Sequence, residues 1–231
     1  MNHSHLATMC NSTFTDLWAE ISTPDQKRML LLGIISAGTT LNDTVVLNEW
    51  LPKCKGVLHQ EAVEETILQT LLFAGFPKTI EALKQLRKHY PQSSAGKQAS
   101  DHQKTGLDTS KLIYGKHHSR LIQVMDELHP DLTRWMIEDG YGRVLSRPGL
   151  SIKDRELAVI ASLMASGMVH QFKAHIRGAL YAGVSKVDTI WFTNTFVCII
   201  ADDLKVAFGE VRNEVLDIQD DNWGVKNIYG S

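Results

Sequence analysis

The stretch SRPGLSIKDRELAVIASLMASGMVHQFKAHIRGALYAGV, residues 146–184, decides the fold class. Within 152–166, Ile152, Leu157, Ile160, Ala161 and Met164 share one apolar face at helical spacing. A second helix follows. Glu156 sits on the first and His175 on the second, 19 positions apart. The spacing predicts an acid and a base facing each other across neighbouring helices. The stretch contains no cysteine, which bears on the chemistry below.

Outward from this stretch the helical rhythm continues. Val63, Ile67, Leu68, Leu71 and Leu72 form a second apolar stripe over 60–74. Thr23-Pro24 predicts an N-cap followed by Pro at the first helical position, and Ser185-x-x-Asp188 resembles a capping box. Gly75-Phe76-Pro77 and Arg147-Pro148-Gly149 are expected breakers between helices. Alternating β-branched patterns are nowhere sustained, so the expected class is all-α.

The 231 residues are enough to bury a substantial core. Hydrophobic residues make up 43% and charged residues 22%, as in ordinary globular proteins. The net charge of −2 supplies no basic field for nucleic acid or an anionic membrane surface. LLLGII at 30–35 and FVCII at 196–200 are too short to cross a membrane and read as core. Cys10, Cys54 and Cys198 make no C-x-x-C and no zinc spacing, which suggests reduced thiols in a cytoplasmic protein. The N-terminus lacks the basic start and apolar run of a signal peptide.

PQSSAGKQASDHQKTGLD, residues 91–108, is polar and small, and a flexible linker is expected over 91–112. It divides the chain into two parts, 14–90 and 113–216, that read as a degenerate repeat. A shift of about 127 positions lays Arg28 on Arg155, Gly56-Val57 on Gly183-Val184 and Lys78 on Lys205. Glu156 then falls on Met29 and His175 on Asn48, so one copy carries the acid–base pair and the other is expected to be structural.

YGRVLSRPGL, KDREL and HIRGALYAGV, with His175, Ala179 and Gly183 in H-x-x-x-A-x-x-x-G spacing, resemble the carboxymuconolactone decarboxylase family. That family also includes alkylhydroperoxidase D. GVLHQEAVEETILQTLLFAGFPKTIEAL at 56–83 matches more weakly. The resemblance implies a helical fold, assembly of copies into trimers or hexamers, and here a trimer of two-copy chains. The peroxidase branch uses C-x-x-C-x-x-x-H, but Met168 and Gln171 stand at its cysteine positions. Neither supplies a thiolate or a resolving thiol, so peroxidase activity is the disfavoured reading.

The decarboxylase branch implies cofactor-independent lyase chemistry on a small carboxylated lactone or related acid. His175 is the expected general acid/base and Glu156 its partner. Arg155, Arg177 and Arg147 are candidate carboxylate anchors, with His170 lining the same cavity. Each has a plainer reading. Glu156 and His175 suit a buried hydrogen-bonded pair, Arg155 and Arg177 suit interhelical or subunit ion pairs, and Arg147 suits a helix end. His170 and Lys173 suit a solvated face. Trp135, Met136 and Ile137 suit core or interface rather than a substrate platform. His117, His118 and His129 read as scattered surface histidines, and no motif suggests a metal. A noncatalytic oligomeric scaffold or binding protein stands as the alternative function.

Overall fold

The computed structural model describes residues 3–92 and 101–217, and all regular structure among them is helical. Five helices make up the first half: α1 (His3–Glu20), α2 (Pro24–Leu41), α3 (Thr44–Trp50), α4 (Gln60–Gln69) and α5 (Leu71–Leu86). Next come α6 (His102–Tyr114), α7 (His118–Leu128) and α8 (Pro130–Trp135). A wide π-type helix, Met136–Leu145, follows directly, and then α9 (Ile152–Ser166), α10 (Val169–Tyr181), α11 (Lys186–Thr195) and α12 (Lys205–Asp217).

Local chemistry sets the helix starts. Thr23 accepts from the Gln26 N–H, Ser151 from Asp154 and Ser185 from Asp188, each filling an orphan donor of a first turn. The stripe over 60–74 is interrupted at Thr70, so Leu71 and Leu72 open α5 instead of closing α4. Gly75 leaves the helical conformation, so the expected break is present as a kink between two helical pieces of α5, with φ 76°. That value suits glycine because a Cβ would clash there. The expected breaker at Arg147-Pro148-Gly149 does separate the π-type helix from α9.

The centre of the molecule is α2 beside α9. Arg28 pairs with Asp154 near the start of both helices, while Ser36 and Thr40 meet Ser162 further along, so the two run in the same direction. In α9 every residue from Asp154 to Met164 is buried. A helix covered on all sides lies inside a core rather than on a surface. One hydrophobic cluster takes in Leu31, Ile35, Trp50 and Val63 from the first half and Leu157, Ile160, Phe172 and Phe192 from the second. Burying each such side chain contributes about 1.5–3 kcal/mol. The two halves therefore share one core.

The expected flexible linker over 91–112 needs correction. Residues 93–100 lie outside the described residues, but α6 is helical from His102, capped by Asp101 accepting from the Lys104 N–H. Its sequence is polar because most of it faces solvent. It is held by close backbone contact: a Cβ at Gly106 would run into the Ile137 carbonyl, and one at Gly142 into the His102 carbonyl. Two glycines thus let α6 lie against the π-type helix. A second, smaller cluster forms there from Ile113, Tyr114, Leu121, Ile137, Tyr141, Leu145 and Ala174.

His117 and His118, expected at the surface, are also corrected. Both are buried, and His118 Nε2 lies 2.8 Å from Ser110 Oγ. They sit at the turn joining α6 to α7, where the second cluster closes.

Candidate active site

Glu156 lies one turn into α9 and His175 midway along α10. His175 Nδ1 is 2.9 Å from Glu156 Oε2. Glu156 is 1% exposed, so its carboxylate depends on this partner. Gly178 makes the room: a Cβ there would come within 2.6 Å of Glu156 Oε2. An ionised carboxylate only accepts, which places the donated proton on Nδ1 and leaves the Nε2 lone pair on the other side of the ring. Phe73, from α5, meets the His175 ring edge-on with centroids 6.2 Å apart.

His175 also lines a cavity of about 780 Å³. Leu72 and Phe73 of α5 form one wall, and Tyr114 closes the end of α6. Leu121, Met125 and Leu128 come from one face of α7. Trp135, Met136, Asp139, Tyr141 and Leu145 come from α8 and the π-type helix, and His170, Gln171 and Ala174 from α10. The Tyr141 hydroxyl donates to that of Tyr114 at 2.8 Å, which ties the π-type helix to α6 beneath the cavity. Wide helical turns are frequent at functional sites because they re-aim side chains.

The structure does not bring the three arginines to this cavity. Arg147 and Arg155 both pair with the buried Glu65 of α4, at 2.8 and 3.0 Å. Arg155 also donates to Gln69 and to the Arg147 carbonyl. Glu65 strengthens the Arg147 charge, while burial lowers the pKa of Arg155. Arg177 is 3% exposed, burial lowers its pKa, and no hydrogen bond reaches its guanidinium nitrogens among the described residues. None of the three arginines lines the cavity that holds His175. The network around Glu65 had no signal in the sequence, because nothing local couples α4 to residues about 90 positions away.

Of the remaining candidates, His170 lines the cavity and is exposed. Lys173 pairs with Glu214 instead. Trp135 and Met136, expected in core or interface, line the cavity, and Trp135 is 54% exposed. Ile137 is core. Leu72 and Phe73 bring the first half into the site, which the sequence had assigned to the second half alone. A signal existed in the stripe 60–74, whose last apolar residue faces the cavity rather than the core.

Gln171 lines the cavity where the peroxidase branch would hold a cysteine, and Met168 is exposed one turn before. No cysteine lines the cavity. Burial pushes the Cys54 thiol up to about 12. Cys10 and Cys198 are neighbours, and the hydrogen bond between them raises Cys10 and lowers Cys198. In the first half, Met29 is core and Asn48 donates to Gln85, so no acid–base pair stands at those positions. Among the described residues no group of three or more His, Cys, Asp or Glu is arranged to hold a metal ion. No helix there is long and apolar enough to cross a membrane.

The sequence model of the Carboxymuconolactone decarboxylase family matches residues 130–190. The chain is 28% identical over 131 residues to Peroxisomal protein 2 of Schizosaccharomyces pombe, covering 54% of this chain and 62% of that protein. It is 32% identical over 84 residues to 4-carboxymuconolactone decarboxylase of Acinetobacter baylyi, covering 36% of this chain and 63% of that enzyme. With Peroxisomal protein 2 of Saccharomyces cerevisiae the identity is 27% over 154 residues, 53% of this chain and 54% of that protein. The chain thus spans less than two thirds of each of these relatives. The matched segment 130–190 runs from α8 through α10 and contains both Glu156 and His175.

Proposed function

We propose that the chain, whose residues 130–190 match the carboxymuconolactone decarboxylase family, is a cofactor-independent enzyme of acid–base chemistry at carbon. One observation carries the reading. His175 is held by Glu156 at 2.9 Å and still lines a cavity of about 780 Å³. A pair kept only for packing has no need to present its ring to such a space.

The mechanism follows from the ring's two nitrogens. Glu156 fixes Nδ1 as the donor, so Nε2 is the basic atom. Nε2 takes a proton from carbon beside a carbonyl, the C–H electron pair passing into the enolate. The imidazolium then stands against the Glu156 carboxylate, which stabilises it. Returned to carbon, the same proton completes an isomerisation. For a decarboxylation the imidazolium is the starting form: the bond to the carboxylate breaks, its electron pair passes into the enolate as carbon dioxide leaves, and the Nε2 proton goes to that carbon. Positioned general acid–base groups of this kind contribute about 10²–10⁴-fold in rate.

Incubation with a panel of ketones and lactones in D₂O tests this by mass spectrometry. Wild-type protein is expected to catalyse deuterium incorporation beside the carbonyl. His175→Gln is expected to lower the rate at least about 10²-fold at unchanged Tm. Equal rates in the two proteins would sink the proposal.

A noncatalytic binding protein is the second reading, favoured by the apolar walls. Under it, compounds bind at this cavity and nothing exchanges. Peroxidase chemistry remains disfavoured by Met168 and Gln171. We read 14–90 and 113–216 as two copies of one unit, and a trimer of such chains as the assembly. A cytoplasmic location is the sequence's reading, and the name of the two yeast relatives makes a peroxisomal one its alternative.

A further inference from the structure

The cavity's walls do not suit the small carboxylated lactone that the family resemblance implies. Among the described residues no lysine or arginine lines it, and Asp139, the one carboxylate that does, repels an anion. Arg147 and Arg155 are held by Glu65 and do not line the cavity. Apolar side chains dominate instead. Leu121, Met125 and Leu128 recur along one face of α7, and seven residues of helix span about 10 Å. That wall is longer than a single five-membered ring. It runs from Leu121, 3% exposed, to Leu128, 66% exposed, so it leads from the interior to the rim. Trp135 stands at the same rim. The volume of about 780 Å³ falls within the range of roughly 300–1,000 Å³ that holds drug-sized ligands.

We propose that the cavity binds an elongated neutral molecule, an alkyl ketone or alkyl-substituted lactone, with its carbonyl end at His175 and its chain along α7. His175 is buried while Asp139, His170 and Gln171 are exposed, and the α7 wall offers a chain no polar partner. Apolar burial therefore supplies the affinity, and the imidazole fixes which end enters. A carboxylate at the inner end gains no cation and loses its hydration, so diacids are rejected. This assignment rests on the acid–base reading for its orientation, not for its binding.

The test is calorimetric titration of the full chain with γ-lactones of six to twelve carbons, and with 5-oxotetrahydrofuran-3-carboxylic acid as the small acid. Affinity for the lactones is expected to rise about two- to fourfold per added methylene, as burial of each CH₂ dictates. The small acid is expected to bind at least about 100-fold more weakly than the twelve-carbon lactone. Leu72→Lys places a cation at the wall from a partly exposed position, 37% accessible, and should leave Tm unchanged. It is expected to weaken the twelve-carbon lactone about tenfold or more. Affinity independent of chain length, tighter binding of the small acid, or no binding by any lactone would each overturn the assignment. The two readings fail separately. Chain-length-dependent binding with exchange indifferent to His175→Gln removes only the acid–base mechanism. His175-dependent exchange confined to the small acid removes only the substrate class.

Discussion

Three buried charged residues divide what the site needs from what the scaffold needs. Glu156 has one imidazole for a partner and serves the cavity. Glu65 holds two arginines and serves the joint between α4, α9 and the loop before it. Among the described residues no hydrogen bond reaches the buried Arg177 guanidinium, and a buried cation without one is destabilising. Arg177→Met, which keeps much of the length and removes the charge, is expected to raise stability by about 1–4 kcal/mol, read as a higher Tm. A lowered Tm would show that another molecule or chain satisfies the guanidinium. The acid–base pair was legible in the sequence because two helices of known spacing fix where residues 19 apart can meet. The fate of the arginines was not, because it depends on Glu65 and Gln69, brought in from α4.

Among elements, α6 and the turn after it show how a polar segment becomes structure. Nothing in HQKTGLDTSKLIY marks a core helix, and its stability comes from Gly106 and Gly142 allowing backbone contact. The same junction buries His117, whose pKa is lowered from 6.5 by burial, with Lys116 and Arg177 adding to the effect. Burial lowers His118 likewise, with Lys111 adding. A histidine with a depressed folded pKa stays neutral in the fold while the unfolded chain takes up the proton. Its stability is fully present above pH 6.5 and is lost as pH falls from 6.5 through the lower folded value. Thermal melts between pH 7.5 and 5 are expected to show Tm dropping over this window, and His117→Phe should flatten part of the drop. A Tm that rises on acidification would contradict the assignment. The caps at Thr23 and Ser185 were readable in advance, since capping is local. The kink at Gly75 was readable only as a break, since its outcome depends on what α5 packs against.

At the scale of the molecule, the first and second halves of the chain form one core. α9 is enclosed because α2 and α10 flank it, with α4 and α5 touching it as well, and Ser162 and Asp154 find their partners on α2. Residues 113–216 produced alone are therefore expected to show no cooperative unfolding transition in circular dichroism and calorimetry, while the full chain does. A folded fragment would restore the picture of separable domains. The cavity is likewise a property of the whole, since Leu72 and Phe73 come from one half and His175 from the other. The sequence by itself determined that the chain is all-helical, where its main helices start, and that Glu156 and His175 form the pair, because periodicity, capping and helix spacing are local. Only the tertiary structure decided which side chains surround that pair. It gave Arg147 and Arg155 to Glu65 and the cavity to leucines, methionines and aromatics, because long-range packing assigns partners that no local pattern encodes.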